Sequence, residues 1–520
     1  MIRLATHDGQ HLTLAPDDRL TLAQAIFLAG LWDGVPLCAG LGKCGLCRVR
    51  YLSDPPHPAS DETRRLGAEA LAEGWRLSCL HPAKACEIEL PEAKRSGHPR
   101  EKNALAADAS GELTLAVDLG TTSIHWTALA SKTQLSTGQE LNPQMGLGSE
   151  VMSRLGFAAR PGGEDILQRL ALDRLRGLVR KAEAEAGRPV SRLCVSGNSA
   201  MTYLLLGLPV EGLARAPYRL DYAGGDDRSI APDLPETRIP PLLSPFVGAD
   251  LSAGLAAITF SAEPPQHPFL LADLGTNGEF VLALSPGEYL LASVPMGPAL
   301  EGVGLRHGRT AAPGAVRAFA LTPAGLKPEY VERPPLPGED GGITGVGYLS
   351  LAAALLRAGV LDESGRFVVP ATPLGQRLVK GLAYSDGEAV LDLGNGLSLP
   401  ASDVEELVKV KAAFNLALSR LLAESGLPAS ALATVYLAGA MGEHVDARDL
   451  STLGFLPEVL VSRLIRAGNT SLIGAGLLLN SSEAWDWVRA LPAGCRTLDL
   501  ATDPRFGSLY VERMVLRHVA

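Results

Sequence analysis

Two stretches of the chain, ELTLAVDLGTTSIHWTALA (112–130) and FLLADLGTNGEFVLALSPGEYLLASV (269–294), are built alike: an apolar strand, a DLGT turn and further strand sequence. Their aspartates, Asp118 and Asp273, lie 155 residues apart. A unit repeated at that spacing predicts a duplicated domain of alternating strands and helices from about residue 113 onward. Each turn suits phosphate. The glycine permits the tight bend, backbone N–H and hydroxyl groups reach phosphate oxygens, and an aspartate at the strand end can hold Mg²⁺ through water. One D-x-G turn would say little, since such turns end many strands. Two in matching half-domains select Asp118, Gly120, Thr121 and Thr122 in the first, and Asp273, Gly275, Thr276 and Asn277 in the second.

A third element, TVYLAGAMGEHV (434–445), is a strand running into a small-residue turn with Gly439 and Gly442. Together the three resemble the two phosphate loops and the adenosine loop of the acetate kinase, sugar kinase, Hsp70 and actin superfamily. The resemblance implies two RNase H-like halves clamping ATP, with Asp118 and Asp273 in the catalytic positions. CVSGNSAM (194–201) and NTSLIGAGLLL (469–479) sit where that superfamily has its hinge segments. Ala440 stands where its adenosine loop usually has the second of two adjacent glycines.

The N-terminal part has another character. CAGLGKCGLC places Cys38, Cys44 and Cys47 within ten residues, and Cys79 follows in GWRLSCL. The spacing C-x5-C-x2-C, then 31 residues, then C offers only one of the two C-x2-C knuckles that a zinc ribbon prefers. A [2Fe–2S] ferredoxin instead takes three thiolates from one glycine-rich loop and the fourth from a distant segment. Gly40, Gly42 and Gly45 supply left-handed backbone in such a loop. Around it, IRLAT and HLTLAP flank the turn HDGQ as a hairpin, and TLAQAIFLAG reads as a helix capped by Thr21 and stopped at Gly30. Residues 1–92 thus resemble a ferredoxin with the first gap of the adrenodoxin-like branch. Zinc and unligated core thiols are the alternatives. Cys86, Cys194 and Cys495 have no partners at ligand spacing and read as inert buried thiols.

These units give the expected organisation: an α+β, β-grasp ferredoxin-like domain (1–92), a polar flexible linker (93–112), and an α/β duplicated RNase H-like, actin- and Hsp70-like body. The body divides into halves at 113–265 and 266–490, with an extension at 491–520. A net charge of −10 leaves no basic stripe for nucleic acid, and the apolar runs are too short for a bilayer. A cytoplasmic protein is expected, and a reducing compartment disfavours structural disulfides.

The domain order, together with NPQMGLGSEVMSRL (142–155), VGADLSAG (247–254), MGPALEGVGLRHG (296–308) and AAPGA (311–315), resembles the reductive activators of corrinoid-dependent proteins. That resemblance implies a [2Fe–2S] cluster on the four cysteines, ATP with Mg²⁺, a low-potential electron donor and a corrinoid protein as partner. It implies ATP-dependent transfer of one electron to Co(II), giving Co(I), and leaves a homodimer open. Two rivals remain at this level. One is a small-molecule kinase with a fused redox domain, using Asp250 or Glu279 as catalytic carboxylate. The other is an electron carrier that does not hydrolyse ATP. His125 reads as packing, and Arg306–His307 as a solvated turn.

Overall fold

The hairpin signal HDGQ is met by antiparallel strands Ile2–Thr6 and His11–Leu14. In the computed structural model these belong to a five-stranded sheet ordered His11–Leu14, Ile2–Thr6, Cys86–Leu90, Arg48–Tyr51, Trp75–Leu77. The structure describes residues 1–520 except Gly34, Pro36, Ala39, Leu41, Lys43, 93–99, 104–109, Val303, 338–340, Asp386, 440–444 and Ala501. Ile2–Thr6 runs parallel to Cys86–Leu90, and the helix Leu22–Leu28 buries Leu22, Ala23 and Ile26 against Val49, Leu77 and Ile88. This is a β-grasp ferredoxin.

The predicted duplication appears as two sheets with the same core order. In the first, Val190–Ser196 is parallel to Leu113–Leu119, which pairs antiparallel with Ser123–Ala130 and through it with Thr133–Leu141. In the second, Thr434–Gly439 is parallel to Phe269–Leu274, followed by Asn277–Ser285 and Glu288–Pro295. Both first strands are buried along nearly their whole length, as expected for strands covered on both faces.

Between the sheets the helices Ala249–Thr259 and Thr470–Asn480 pack against each other. The segment NTSLIGAGLLL thus packs on the helix 249–259, and it also meets CVSGNSAM, where Ser196 Oγ and Ser471 Oγ are 2.8 Å apart. Small residues allow the approach: a Cβ on Gly474 would lie 1.9 Å from the Ala253 carbonyl oxygen. Gly474→Ala is accordingly expected to cost about 1–3 kcal/mol, the usual range for overpacking, seen as a lower melting temperature with the ferredoxin unaffected.

Two segments set apart in the sequence join these sheets. Within 93–112, Arg100–Asn103 pairs with Thr133–Leu141 as an edge strand. Within 491–520, Cys495–Thr497 pairs parallel with Glu288–Pro295. The ferredoxin rests on the first half: Leu20, Phe27 and Leu28 pack against its core, and Arg160 Nη1 donates to the Arg19 carbonyl at 3.0 Å. Among the described residues, no helix is long and apolar enough to cross a membrane.

Candidate functional site

The helix Leu22–Leu28 starts on a capping box between Thr21 and Gln24, which fixes the entry to the cysteine loop. Gly40, Gly42 and Gly45 adopt φ of +106°, +66° and +69°, the left-handed backbone that the sequence required. Cys79 sits on the 3₁₀ turn Ser78–Leu80. That turn is tied to the loop by Ser78, whose N–H and hydroxyl donate to the Cys47 carbonyl at 3.1 and 2.6 Å.

All four thiols line one small pocket, shared with Thr21, Leu37 and Gly40. They stand as two pairs, Cys38 with Cys44 and Cys47 with Cys79; the neighbouring thiol, then burial, pushes Cys44 and Cys47 up. Two pairs suit a two-iron cluster, whereas a tetrahedral zinc draws all four sulfurs to one point. Among the described residues no three Cys, His, Asp or Glu side chains stand close enough to share a single ion. The Leu46 N–H donates to Cys44 Sγ at 3.4 Å, and Arg65 Nη2 donates to the Cys44 carbonyl at 3.0 Å. The chemistry of this donor set fits a [2Fe–2S] cluster. Cys86, Cys194 and Cys495 lie on separate strands, Cys86–Leu90, Val190–Ser196 and Cys495–Thr497, away from it.

The second site opens between the two sheets. Asp118, Gly120, Thr121, Thr122, Asp273, Gly275, Thr276, Asn277 and Gly439 line one cleft of about 410 Å³, within the range of small-molecule sites. Gly442 and Ala440 lie outside the described residues. The two DLGT turns meet: Thr122 Oγ1 and Thr276 Oγ1 are 3.0 Å apart in a hydrogen bond. Asp118 accepts from Asn469 Nδ2 at 2.7 Å and Ser471 Oγ at 2.8 Å, at the start of the helix joining the halves. Gly439 has φ +72°, and a Cβ there would lie 2.3 Å from Asp273 Oδ1, so only glycine fits beside that carboxylate.

Five carboxylates converge here: Asp118, Asp250, Asp273, Glu279 and Glu301. Burial, reinforced by Asp118, raises Asp250 to about 7. Burial and then Asp250, Asp118 and Glu301 hold Asp273 well above the usual carboxylate range. Glu279 is pushed up by burial and by Asp250, Asp273 and Asp118, and its Oε1 is buried without a partner. Crowding of this kind disfavours an unaccompanied polyanion and favours one that arrives with a cation.

Several cleft residues were not singled out by the sequence reasoning. Glu301, within the quoted stretch MGPALEGVGLRHG, accepts from Thr276 Oγ1 at 2.8 Å. Asn198 Nδ2 donates to Thr121 Oγ1 at 2.8 Å. Thr344, which caps the helix Gly345–Arg357, also lines the cleft; a capping threonine before an apolar run was the available signal. His125 lines the cleft rather than merely packing, because it pairs across the hairpin with Asp118 as Glu279 pairs with Asp273. Arg306 and His307 are not a solvated turn. The Arg306 N–H donates to Asp403 Oδ2 at 3.0 Å, and His307 Nε2 is 3.0 Å from Ser398 Oγ.

Three family models match the chain in succession. The 2Fe-2S iron-sulfur cluster binding domain covers residues 5–84, the RACo middle region 113–263, and the C-terminal domain of RACo, the ASKHA domain, 267–520. The corrinoid activation enzyme RamQ of Eubacterium limosum is 27% identical over 424 residues, 76% of this chain and 69% of that one. The [Co(II) methylated amine-specific corrinoid protein] reductase of Methanosarcina barkeri is 29% identical over 439 residues, 76% of each. The chain belongs to the reductive activators of corrinoid-dependent proteins. A solved reductive activator for corrinoid, iron-sulfur protein superposes on the whole chain with a TM-score of 0.69 at 22% identity, covering 99% of that structure, and so shares the activator fold. In this activator the ferredoxin model ends just past Cys79, and the ASKHA model runs through the edge strand Cys495–Thr497.

Proposed function

We infer that this activator passes one electron at a time to the cobalt of a corrinoid protein, reducing Co(II) to Co(I), with ATP bound in the cleft between the two sheets. The observation that carries this reading is the presence, in one chain, of a four-thiol pocket in a β-grasp domain and a phosphate-type cleft built from paired DLGT turns.

A [2Fe–2S] cluster held by Cys38, Cys44, Cys47 and Cys79 would supply a one-electron relay at low potential. The chain's own groups do the rest at that end: the Leu46 N–H stabilises sulfur charge, and Trp32, Val49 and Leu77 form the dry core beneath. In the cleft, Thr121, Thr122, Thr276 and Asn277 offer donors to phosphate oxygens. Asp118 and Asp273 would hold the Mg²⁺ that accompanies ATP, a hard cation suited to carboxylate oxygens. Asp250 and Glu279, which line the same cleft, would add carboxyl oxygens near that cation.

A plant-type cluster lies near −400 mV, and a Co(II)/Co(I) couple is harder to reduce. With about 59 mV per tenfold change for one electron, a coupling of about 1–3 kcal/mol between nucleotide and partner sites would supply about 40–130 mV.

The test uses the cluster-loaded protein, a corrinoid protein poised as Co(II), and a low-potential chemical reductant. The Co(II) absorption should give way to that of Co(I) when Mg²⁺ and ATP are present, and should do so much more slowly without ATP. Cluster-loaded, ATP-binding protein that leaves Co(II) unchanged with several corrinoid partners, while phosphorylating a small molecule, would replace this reading with the kinase.

A further inference from the structure

One segment, residues 142–154, buried from Asn142 to Ser149 and again at Arg154, touches both sites. At its start Asn142 Nδ2 donates to the Gly120 carbonyl at 2.7 Å; at its end Arg154 Nη2 donates to the Thr121 carbonyl at 2.7 Å. The segment therefore grips the first phosphate loop from behind. Its middle reaches the ferredoxin. Gly146 lines the thiol pocket beside the four cysteines, and it lies so close to the Phe27 ring that a Cβ would meet it at 2.2 Å.

Arg154 is the bolt of this segment. It is 0% exposed, and its guanidinium is spent largely on holding the segment in shape. Nε and Nη2 donate to the Gly148 carbonyl at 3.1 and 2.8 Å, and Nη1 donates to Gln144 Oε1 at 3.2 Å. Burying a guanidinium is costly, and an apolar side chain of similar volume would fill the space as well. What the arginine adds is a fixed geometry between the Thr121 carbonyl and the turn Met145–Leu147.

We propose that residues 142–154 form a relay between the first phosphate loop and the cluster pocket, with Arg154 and Gly146 as positioning residues that let bound nucleotide alter the surroundings of the cluster. This rests on the cluster and ATP occupying the two sites as inferred above. The physical route is short. Phosphates drawing on Thr121 and Thr122 shift the loop carbonyls, Arg154 and Asn142 carry that shift to the turn, and the Gly146 backbone forms one wall of the pocket. A cluster's potential responds to hydrogen bonds and solvent access around its sulfurs, which that wall controls. The contacts Arg160–Arg19 and Arg174–Asp33 also hold the ferredoxin in place, but they do not touch the phosphate loop.

The experiment compares full-length, cluster-loaded protein with and without a non-hydrolysable ATP analogue and Mg²⁺. It reads the ratio of reduced to oxidised cluster at fixed ambient potential, and the visible circular dichroism. The analogue should change that ratio by about fivefold in the parent, the lower end for coupled sites. The change should fall below about twofold in Arg154→Met and in Phe27→Leu. The second variant lies on the ferredoxin side and should keep both its iron and the analogue-induced rise in melting temperature. Arg154→Lys, which keeps the charge but not the fork, should restore only part of the shift. An unchanged ratio in a parent that holds two irons and is stabilised by the analogue overturns the relay alone, as does a full shift in both variants. A parent without iron, or without stabilisation by the analogue, overturns the cofactor assignments and the relay with them.

Discussion

Serine in place of Cys44 or Cys79 is expected to reduce activation of the corrinoid protein to background. The hydroxyl is a poor substitute for a thiolate ligand, and in each variant one thiol pair would lose one of its two members. Iron and sulfide analysis should fall from about two of each per chain, and the visible absorption should bleach. The damage should stay local. Val49, Leu77 and Ile88 are fully buried in the ferredoxin's own apolar core, and the body from Leu113 onward has its own core clusters. Its melting transition and its response to ATP should therefore match the parent. Retention of two irons together with full activity in either variant would remove that cysteine from the ligand set.

Asp273→Asn should have two opposed effects. Nucleotide at a hundredfold excess over its dissociation constant stabilises a protein by about 2.7 kcal/mol, and that stabilisation should vanish with the carboxylate that faces the metal. The nucleotide-free variant, in contrast, should melt higher than the parent. A buried carboxyl whose folded value is raised stays protonated in the fold while the unfolded chain ionises. Its contribution is neutral below about pH 4 and becomes increasingly unfavourable as pH rises toward the folded value. For Asp250, raised to about 7, the window is about pH 4–7, and the penalty above it is up to about 4 kcal/mol at roughly 1.4 kcal/mol per unit. Asp250→Asn should flatten the loss of stability across that window. Mg²⁺ with ATP should stabilise the parent more at pH 8 than at pH 5, because the ionised cleft is the one that receives the cation. Equal responses of parent and Asp273→Asn to ATP would misplace the second phosphate loop.

What could be read from the sequence was local chemistry. The Thr21 cap, the Asp-Gly hairpin, the glycines of the cysteine loop and the strand–DLGT–strand pattern each announce themselves within a few residues, and each was found where expected. The cleft's first-rank residues were legible because the motif occurs twice. Glu301, Asn198 and Thr344 were not, since they reach the cleft from separate elements and acquire meaning only when the two sheets face each other. The same holds for the helix 249–259. Its smallness reads as composition until Gly474 is seen against the Ala253 carbonyl. Arg100–Asn103 and Cys495–Thr497 escaped for a related reason: short polar segments become strands when a sheet edge offers them partners.

The pairing of Phe269–Leu274 with Thr434–Gly439 also governs how the molecule is made. On a ribosome the first sheet has its core strands once Val190–Ser196 has emerged, but the second cannot close around Phe269–Leu274 until a strand about 160 residues later is synthesised. At the usual elongation rate that delay is about 10–30 s. For that time a strand apolar but for Asp273, with its hairpin, has a bare edge, the kind of surface that pairs with the wrong chain. Slow synthesis at low temperature, or a chaperone that shields residues 269–294, should therefore improve the soluble yield of the full chain far more than that of a fragment ending before residue 265.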